Sequence, residues 1–350
     1  MTSDDATQLV AKLAGQRVLV VGDMFLDEYL VGRAVRLSRE APVPVLERTH
    51  SFALLGGACN PAHNVAALGS RAIMVGVVGQ DPAGQRLLDA LQAAGIDPAG
   101  VVRDETRPTT TKTRLVAESV LRTPQHLARI DTVERRPLDS WVEAALLERL
   151  EALAPGCDVI LVSHYRGAVL TPTVVERVCQ LARQHGLFTA ADAQADLSRF
   201  AGFDLVKCNR AEAEAELGQS LASEDDFERA LTRLLPLLNV AHLVVTRGSD
   251  GLSALQRGQA VIHSPAVPVG EVYDVVGAGD TAVAVLALAL AARLSMSTAA
   301  HLSNVASALV VRRLGNAVVR PAELVEALKQ VSEGRTARPV AASPPNEFGV

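Results

Sequence analysis

The sequence predicts an α/β fold with a doubly wound, mainly parallel central sheet, and two observations carry this prediction. Six short runs are apolar throughout and rich in β-branched residues: 17–23, 72–79, 158–164, 187–193, 204–209 and 242–248. Strands that are apolar on both faces are typical of a parallel sheet covered by helices. Helical patterns alternate with these runs, at 62–69, 83–95, 139–154, 172–186 and 225–238. Such alternation favours the doubly wound arrangement.

Two segments, 28–57 and 101–131, interrupt this rhythm. Both alternate polar with apolar residues and contain Pro or Thr, which is typical of half-exposed antiparallel strands. We predict that they form a small β-sheet lid, and that its exposed apolar side pairs with a second copy in a homodimer. The sequence from Glu333 on is polar and rich in Pro, which predicts disorder for the tail 331–350.

Composition restricts the class of ligand. The formal net charge is −5 and Lys and Arg occur in no run longer than two, so the sequence lacks the basic footprint of a nucleic-acid binder. The longest apolar segment, 281–294, is shorter than the ~20 residues of a membrane span. The four cysteines have no C-x-x-C spacing and the N-terminus does not resemble a signal peptide. We therefore expect a cytoplasmic protein that binds a small molecule.

A glycine turn, Gly277-Ala278-Gly279-Asp280, precedes the apolar helix 281–294. Ligands of doubly wound sheets bind where helix N-termini present free N–H groups. The two glycines let these backbone amides approach a phosphate without an intervening Cβ. Asp280 then either accepts a proton from an attacking hydroxyl or is merely a first-turn acid favoured by the helix dipole. The four residues alone favour the second reading.

A resemblance to a known family favours instead the reading of Asp280 as a proton acceptor. DVVGAGDT, 274–281, resembles the second signature of the ribokinase (PfkB) family of carbohydrate kinases, and LLGGACNPAHNVAALG, 54–69, resembles its sugar-binding loop. Further matches follow the family's order over 15–330. Within the family the sequence is most similar to the kinase domains of D-glycero-D-manno-heptose 7-phosphate kinases, whose lid strand resembles 38–45. The resemblance implies a ribokinase-like domain over 1–330 that phosphorylates a hydroxyl of a sugar or sugar phosphate, with ATP and Mg²⁺.

The resemblance also assigns roles to individual residues. Asp280 becomes the general base, beside an anion hole formed by Gly277, Ala278 and Gly279. The implied substrate-binding residues are Asp27, Gly56, Gly57 and Asn60. The implied nucleotide-binding residues are Asn209, Thr246, Arg247, Gly248, Gly251 and Asn304. Glu212 is expected to position hydrated Mg²⁺, and Asp274 with the carbonyl of Val276 is expected to hold a monovalent cation such as K⁺ in a potassium-dependent member.

Several of these residues have a simpler structural reading. Asp27 would be a turn acid, Asn60 a helix N-cap, and Glu212 an acid in the first turn of its helix. Asn304 would be a buried polar residue satisfied by helix carbonyls. The joint presence of these residues in the family's order favours the functional reading.

The sequence departs from the heptose kinase pattern where phosphates are expected. His164 replaces an Asp, Arg166 stands near the first expected Lys, and Gln194 replaces the second. A lost Lys removes charge-assisted hydrogen bonds of about 1.5 to 3 kcal/mol each. Pro61 within the sugar loop is also unusual, and a lone histidine such as His164 at a strand end is more often structural.

These departures leave two alternatives open beside a sugar kinase: a nucleoside kinase of the same fold, and a non-catalytic sugar-binding protein. If the acceptor carries a phosphate, a base of the lid or sugar loop must neutralise it. The candidates are Arg36, Arg39, Lys112 and Arg114.

Overall fold

The structure is a computed structural model that describes residues 3–119, 122–268, 272, 274–313, 315–334, 336 and 348–349. Its strands are β1 (Arg17–Gly22), β2 (Met24–Leu37), β3 (Pro44–Gly57), β4 (Arg71–Gly79), β5 (Asp97–Asp104), β6 (Thr111–Ser119), β7 (Arg122–Thr132), β8 (Val159–His164), β9 (Phe188–Ala193), β10 (Leu205–Asn209), β11 (His242–Thr246), β12 (Leu252–Gln256), β13 (Ile262–Ser264) and β14 (Phe348–Gly349). Its helices are α1 (Ser3–Ala11), α2 (Cys59–Ala67), α3 (Pro82–Ala93), α4 (Ser140–Leu153), α5 (Pro172–His185), α6 (Arg210–Leu217), α7 (Glu224–Leu238), α8 (Ala278–Ala291), α9 (Met296–Val310) and α10 (Pro321–Ser332).

The large sheet has the strand order β13-β12-β11-β10-β9-β8-β1-β4-β5. All its pairings are parallel except those of β12, which runs antiparallel to β11 and to β13. All six predicted strands are present in it, and the predicted helices lie between them. The predicted mainly parallel, doubly wound sheet is therefore confirmed.

Helices cover both faces of the large sheet, which explains why its strands are apolar throughout. In β1, Val18 and Val20 belong to the core formed with α2, α8, α9 and α10. Leu19 and Val21 belong to the core formed with α4, α5 and α7 on the other face. Each of the four side chains is fully buried.

The small sheet has the order β14-β3-β2-β6-β7. It confirms the predicted second sheet, with two differences in detail. Residues 101–104 of the predicted lid segment belong to β5 in the large sheet. In addition, β6 pairs with β2 in parallel, whereas β3 pairs with β2 and β7 with β6 in antiparallel fashion. Between β3 and β6 the chain forms β4 and β5 of the large sheet, so β6 is free to run in the same direction as β2. The local sequence pattern does not reveal this direction.

Most of the predicted disordered tail, 331–350, lies outside the described residues. Within it, α10 extends to Ser332 and the short β14 pairs with Ala53 and Phe52 of β3. Across the described part of the chain, no helix has the length and apolar character needed to cross a membrane.

Candidate active site

A cleft of about 960 Å³ opens at the carboxyl ends of β9, β10 and β11, beneath the N-terminus of α8. Every residue predicted to bind nucleotide, to form the glycine turn or to position Mg²⁺ lines it. These residues are Asn209, Glu212, Thr246, Arg247, Gly248, Gly251, Gly277, Ala278, Gly279, Asp280 and Asn304. The position agrees with the general rule that doubly wound sheets bind ligands beyond their strand ends.

The carboxylate of Asp280 lies in the first turn of α8 and is 6% exposed. The hydroxyl of Tyr165 donates to Oδ1 at 2.6 Å, and Nδ2 of Asn60 donates to Oδ2 at 2.7 Å. Gly277 has φ 81°, and a Cβ at this position would lie 2.8 Å from Nδ2 of Asn60. The glycine therefore permits both the left-handed backbone and the approach of Asn60 to the carboxylate.

Burial, together with the nearby carboxylate of Asp192, raises the pKa of Asp280 to about 7, although the hydrogen bonds from Tyr165 and Asn60 and the charge of Lys207 act in the opposite direction. A carboxyl group in this range is a suitable general base at neutral pH, because it is partly ionised yet binds a proton strongly enough to accept one.

Lys207 of β10 and Asp192 of β9 form a buried ion pair in the cleft, with Nζ 2.9 and 3.1 Å from the two carboxylate oxygens. Burial alone would lower the pKa of Lys207, but the hydrogen-bonded carboxylate of Asp192, together with the carboxylates of Glu212 and Asp280, raises it. A Cβ at Gly279 would lie only 2.9 Å from this Nζ. The ammonium group is therefore packed against the glycine turn. Lys207 was not among the site residues predicted from the sequence, although a lysine within an apolar strand was the available signal.

Asp27 of β2 lies at the other end of the site and is buried. Nη1 of Arg114 donates to its Oδ1 and Nδ2 of Asn316 to its Oδ2, each at 2.7 Å. A side chain at Gly56 would collide with this carboxylate, and Gly57 has φ 58°. We call the surroundings of Asp27 the acceptor end.

Asn316 joins the acceptor end to the glycine turn. Its Nδ2 contacts Asp27, while its Oδ1 would lie 3.2 Å from a Cβ at Gly277. Asn316 carries no motif signal. Tyr165, which was also not among the predicted site residues, directly follows His164 at the end of β8.

The reading of Asn60 as an N-cap is wrong, because α2 begins one residue earlier, at Cys59, with Ala58 at the cap position. Asn60 instead uses Nδ2 on Asp280, and its backbone carbonyl and Oδ1 accept from Asn64 at 3.1 and 3.3 Å. The asparagine is thus held beside the carboxylate of Asp280.

Lys112 also faces the acceptor end. Its Nζ lies 4.1 Å from the ring centroid of Phe25 and 5.7 Å from that of Tyr165. Burial lowers the pKa of Lys112, and the carboxylate of Asp27 opposes this. Of the four candidate bases, Lys112 and Arg114 are therefore at the acceptor end.

The other two candidates are exposed, with Arg36 on β2 of the small sheet and Arg39 in the connection between β2 and β3. Arg36 lies nine residues beyond Asp27 on β2, which is about 30 Å along an extended strand.

Asn209 and Glu212 form a capping box at the start of α6. The backbone N–H of Glu212 donates to Oδ1 of Asn209 at 3.0 Å, and the N–H of Asn209 donates to Oε2 of Glu212 at 2.6 Å. Burial raises the pKa of Glu212. The structural reading of Glu212 as a first-turn acid is thus correct, and the same carboxylate lines the cleft.

The residues fit a magnesium ion that keeps most of its water. The described residues contain no group of three or more His, Cys, Asp or Glu side chains placed to hold a metal. Mg²⁺ bound to nucleotide phosphates usually needs only one or two protein carboxylates, and Glu212 is available in the cleft.

Two predicted nucleotide residues also support the cleft wall. Nδ2 of Asn304 donates to the carbonyls of Ser264 and Pro265, each at 3.1 Å. Its acceptors are therefore the last residue of β13 and the residue that follows it, and not helix carbonyls. The guanidinium of Arg247 lies 5.4 Å from the ring centroid of Phe227.

The predicted cation ligands share one loop. Oδ1 of Asp274 accepts the N–H of Val276 and Oδ2 accepts the N–H of Gly315, each at 3.0 Å. The carboxylate thus fixes the loop that leads into the glycine turn, and cation binding remains a prediction.

Two of the three departures from the family pattern have structural explanations. His164 is 4% exposed, packs 5.7 Å from Phe200, and has its pKa lowered by burial, which supports the structural reading. Arg166 donates to the backbone carbonyl of Gln194 at 2.9 and 3.2 Å. The side chain of Gln194 itself lines the cleft without a charge.

Backbone amides beside a buried carboxylate suit the transfer of a phosphoryl group to a hydroxyl, and this site on this fold defines a carbohydrate kinase of ribokinase-like architecture. A family model described as pfkB family carbohydrate kinase matches residues 16–322, and the chain belongs to this family. The sugar-kinase expectation is thereby confirmed at the level of the family.

The chain is similar to bifunctional proteins HldE. It is 40% identical to that of Geobacter metallireducens over 326 residues, and 42% identical to that of Caulobacter vibrioides over 327 residues. These matches cover 93% and 92% of this chain but 65% of each relative. The chain therefore spans slightly less than two thirds of the length of these relatives.

Solved structures show the same fold. The phosphofructokinase-2 from Escherichia coli in complex with potassium has a TM-score of 0.75 at 19% identity, over 91% of this chain and 99% of that chain. The Arabidopsis thaliana ribokinase complexed with ribose and ATP has a TM-score of 0.68 at 18% identity, over 89% and 99%. At these identities the likeness establishes the fold alone.

The hydrogen bond from Tyr165 to Asp280 predicts a change in pH dependence. Tyr165→Phe removes a donor that stabilises the ionised carboxylate, so the pKa of Asp280 should rise. The acid limb of kcat/KM should move to higher pH by about one to two units, as expected for a lost charge-assisted hydrogen bond. The pH profile of sugar-dependent ADP release measures this.

Tyr29→Phe is the matched control. It also removes a buried hydroxyl near the acceptor end, but one with no hydrogen-bond partner among the described residues. Its pH profile should remain that of the wild type. A Tyr165→Phe profile that coincides with the wild type would contradict the role of this hydrogen bond.

Proposed function

We propose that the chain phosphorylates a hydroxyl of a sugar phosphate with ATP, with a heptose 7-phosphate as the favoured acceptor. The observation that carries the proposal is the position of Asp280, whose buried carboxylate lies between the nucleotide cleft and the acceptor end. The finer assignment rests on the resemblance to heptose kinases and on the cations that surround Asp27.

In the proposed step, the acceptor oxygen attacks the γ-phosphorus of ATP. The bond from the γ-phosphorus to the bridging oxygen breaks, and its electron pair leaves with ADP. The hydroxyl proton passes to Asp280. The amides of Ala278 and Gly279 at the start of α8 stabilise the negative charge of the migrating phosphoryl group.

Other residues hold the reactants in place. Asp27 accepts hydrogen bonds from acceptor hydroxyls, while Arg114 and Asn316 keep its carboxylate oriented. Mg²⁺ held near Glu212 would neutralise phosphate charge. We also propose that a monovalent cation at Asp274 and the Val276 carbonyl orders the turn, and the dependence of turnover on KCl tests this.

Asp280→Asn tests the base directly. The amide keeps the size and polarity of the side chain but cannot accept the proton, so kcat should fall by about 10² to 10⁴ while ATP affinity changes by no more than a few-fold. The exposed Asp89→Asn serves as the control and should retain wild-type turnover. The melting temperatures of Asp280→Asn and wild type must be equal for the comparison to be valid. Equal turnover of the two proteins would contradict the proposed role of Asp280.

Lys112→Met tests the acceptor phosphate. Lys112 is the ammonium group at the acceptor end, and its loss should raise the KM for a phosphorylated sugar about ten-fold or more. The KM for ATP should stay within two-fold. Arg36→Met, on the distant part of the small sheet, is the matched control.

The acceptor panel for this test includes sugars, sugar phosphates and nucleosides. A preference for an unphosphorylated sugar would contradict the sugar phosphate assignment, and a preference for a nucleoside would support the nucleoside kinase alternative. Ligand binding without turnover of any acceptor would support the non-catalytic alternative.

We further propose a homodimer through the small sheet. Its exposed apolar side chains include Val35 and Leu37 of β2 and Leu127 and Ile130 of β7, and the exposed Val43 precedes β3. Wild type should sediment as a dimer at micromolar concentration, and Leu37→Asp with Ile130→Asp should sediment as a folded monomer. The exposed Leu237→Asp on α7 is the control. A monomeric wild type would contradict the proposal.

A further inference from the structure

We propose that Lys207 binds the transferred phosphate of ATP and supplies the positive charge that Gln194 does not provide. The inference rests on the proposed phosphoryl transfer. It concerns a residue that lies outside the glycine turn and outside the family signatures quoted above.

The sheet register relates the two positions. Lys207 on β10 is directly opposite Asp192 on β9 in the parallel ladder, and Gln194 follows two residues after Asp192. Neighbouring strands are about 4.8 Å apart, so a long side chain from either position can reach the same part of the cleft. Both Lys207 and Gln194 line that cleft. The positive charge that the heptose kinase pattern places after β9 is thus provided by a residue of the neighbouring strand β10.

The direction of the Lys207 side chain is fixed by its contacts. Nζ is held by both oxygens of Asp192 and lies against Gly279, where any Cβ would crowd it. Gly279 therefore makes room for the ammonium group as well as exposing its own amide. A phosphate bound by the first amides of α8 would lie next to Nζ.

An ammonium group has three hydrogens, and among the described residues Nζ donates only to Asp192. With two hydrogens on the two carboxylate oxygens, one remains for a phosphate oxygen. Asp192 in this arrangement positions Lys207, and Lys207 is the residue that touches the substrate.

Stability alone does not account for this pair. A buried ion pair is often no more stabilising than well-packed apolar side chains of similar size. The neighbours of Lys207 on β10, Val206 and Cys208, are fully buried apolar residues on the opposite face. A buried lysine that lines a cleft together with a buried carboxylate such as Asp280 is instead typical of a functional site.

The first variants separate a contact with phosphate from the neutralisation of Asp192. Lys207→Met keeps the length of the side chain and removes its charge. Lys207→Met with Asp192→Asn also removes the uncompensated carboxylate. In both variants kcat should fall about 10² to 10³-fold, while the acceptor KM stays within a few-fold. The exposed Lys12→Met is the control and should match the wild type.

A third variant tests whether a lysine on the neighbouring strand restores the activity lost in Lys207→Met. Gln194→Lys in the Lys207→Met background restores a cation from the neighbouring strand, and we expect it to recover turnover by at least ten-fold. Wild-type turnover in the double variant Lys207→Met with Asp192→Asn would overturn the inference. A folded Gln194→Lys rescue variant with no recovery would also overturn it.

Calorimetry gives a second readout that needs no acceptor. Lys207→Met should weaken the binding of ATP about ten-fold and leave the binding of adenosine unchanged, because only ATP carries the phosphate that Nζ contacts. Equal loss for both ligands, or for neither, would contradict the inference. If wild type turned over no acceptor, the proposed function would fail, whereas the calorimetric comparison would still decide the role of Lys207.

Discussion

The site depends on the burial of one carboxylate. Asp280 is removed from water at the start of α8, and its hydrogen bonds come from two neutral donors, Tyr165 and Asn60. Burial raises its pKa to about 7, whereas a salt bridge would have lowered the pKa and weakened the base. Lys207, whose charge acts on Asp280, is instead bound by Asp192, which leaves Asp280 without a direct ionic partner among the described residues.

The fold fixes this carboxylate in place. The side chains of α8 from Asp280 to Leu290 are all buried, so the helix is held on every side by the sheet, α2 and α9. Its N-terminus cannot withdraw from the strand ends without exposing that apolar surface. Gly277 then permits the backbone to enter the helix in a left-handed conformation beside Asn60. The packing that stabilises the core therefore also fixes the geometry of the site.

The large sheet was predictable because its strands are buried on both faces, which leaves an apolar run in the sequence. The position of the glycine turn followed from the same argument. The partners of Asp280 were harder to predict, since Tyr165, Asn60 and Asp192 come from three distant segments. Asn60 was predicted to bind substrate, and in the structure its Nδ2 donates to the carboxylate of Asp280. Their meeting depends on strand order, which no local pattern contains.

The proposed role of Lys207 could not be predicted from local sequence either. In the sequence, Gln194 stands where the family pattern has a lysine, and Lys207 is a charged residue in an otherwise apolar strand. No local sequence pattern relates the two positions. Only the parallel register of β9 and β10 brings both into one cleft. The parallel pairing of β6 with β2 was unpredictable for the same reason, because the alternating pattern of a half-exposed strand is independent of its direction.

The ionisation of Asp280 can be measured without any acceptor. In protein with ¹³C-labelled aspartate carboxyls, the signal of Asp280 is the one that disappears in Asp280→Asn, and its chemical shift can be followed as a function of pH. The account predicts a midpoint of about 7 in the free protein. A midpoint near 4, as in an exposed aspartate, would contradict the claim that burial prepares this carboxylate to act as the base.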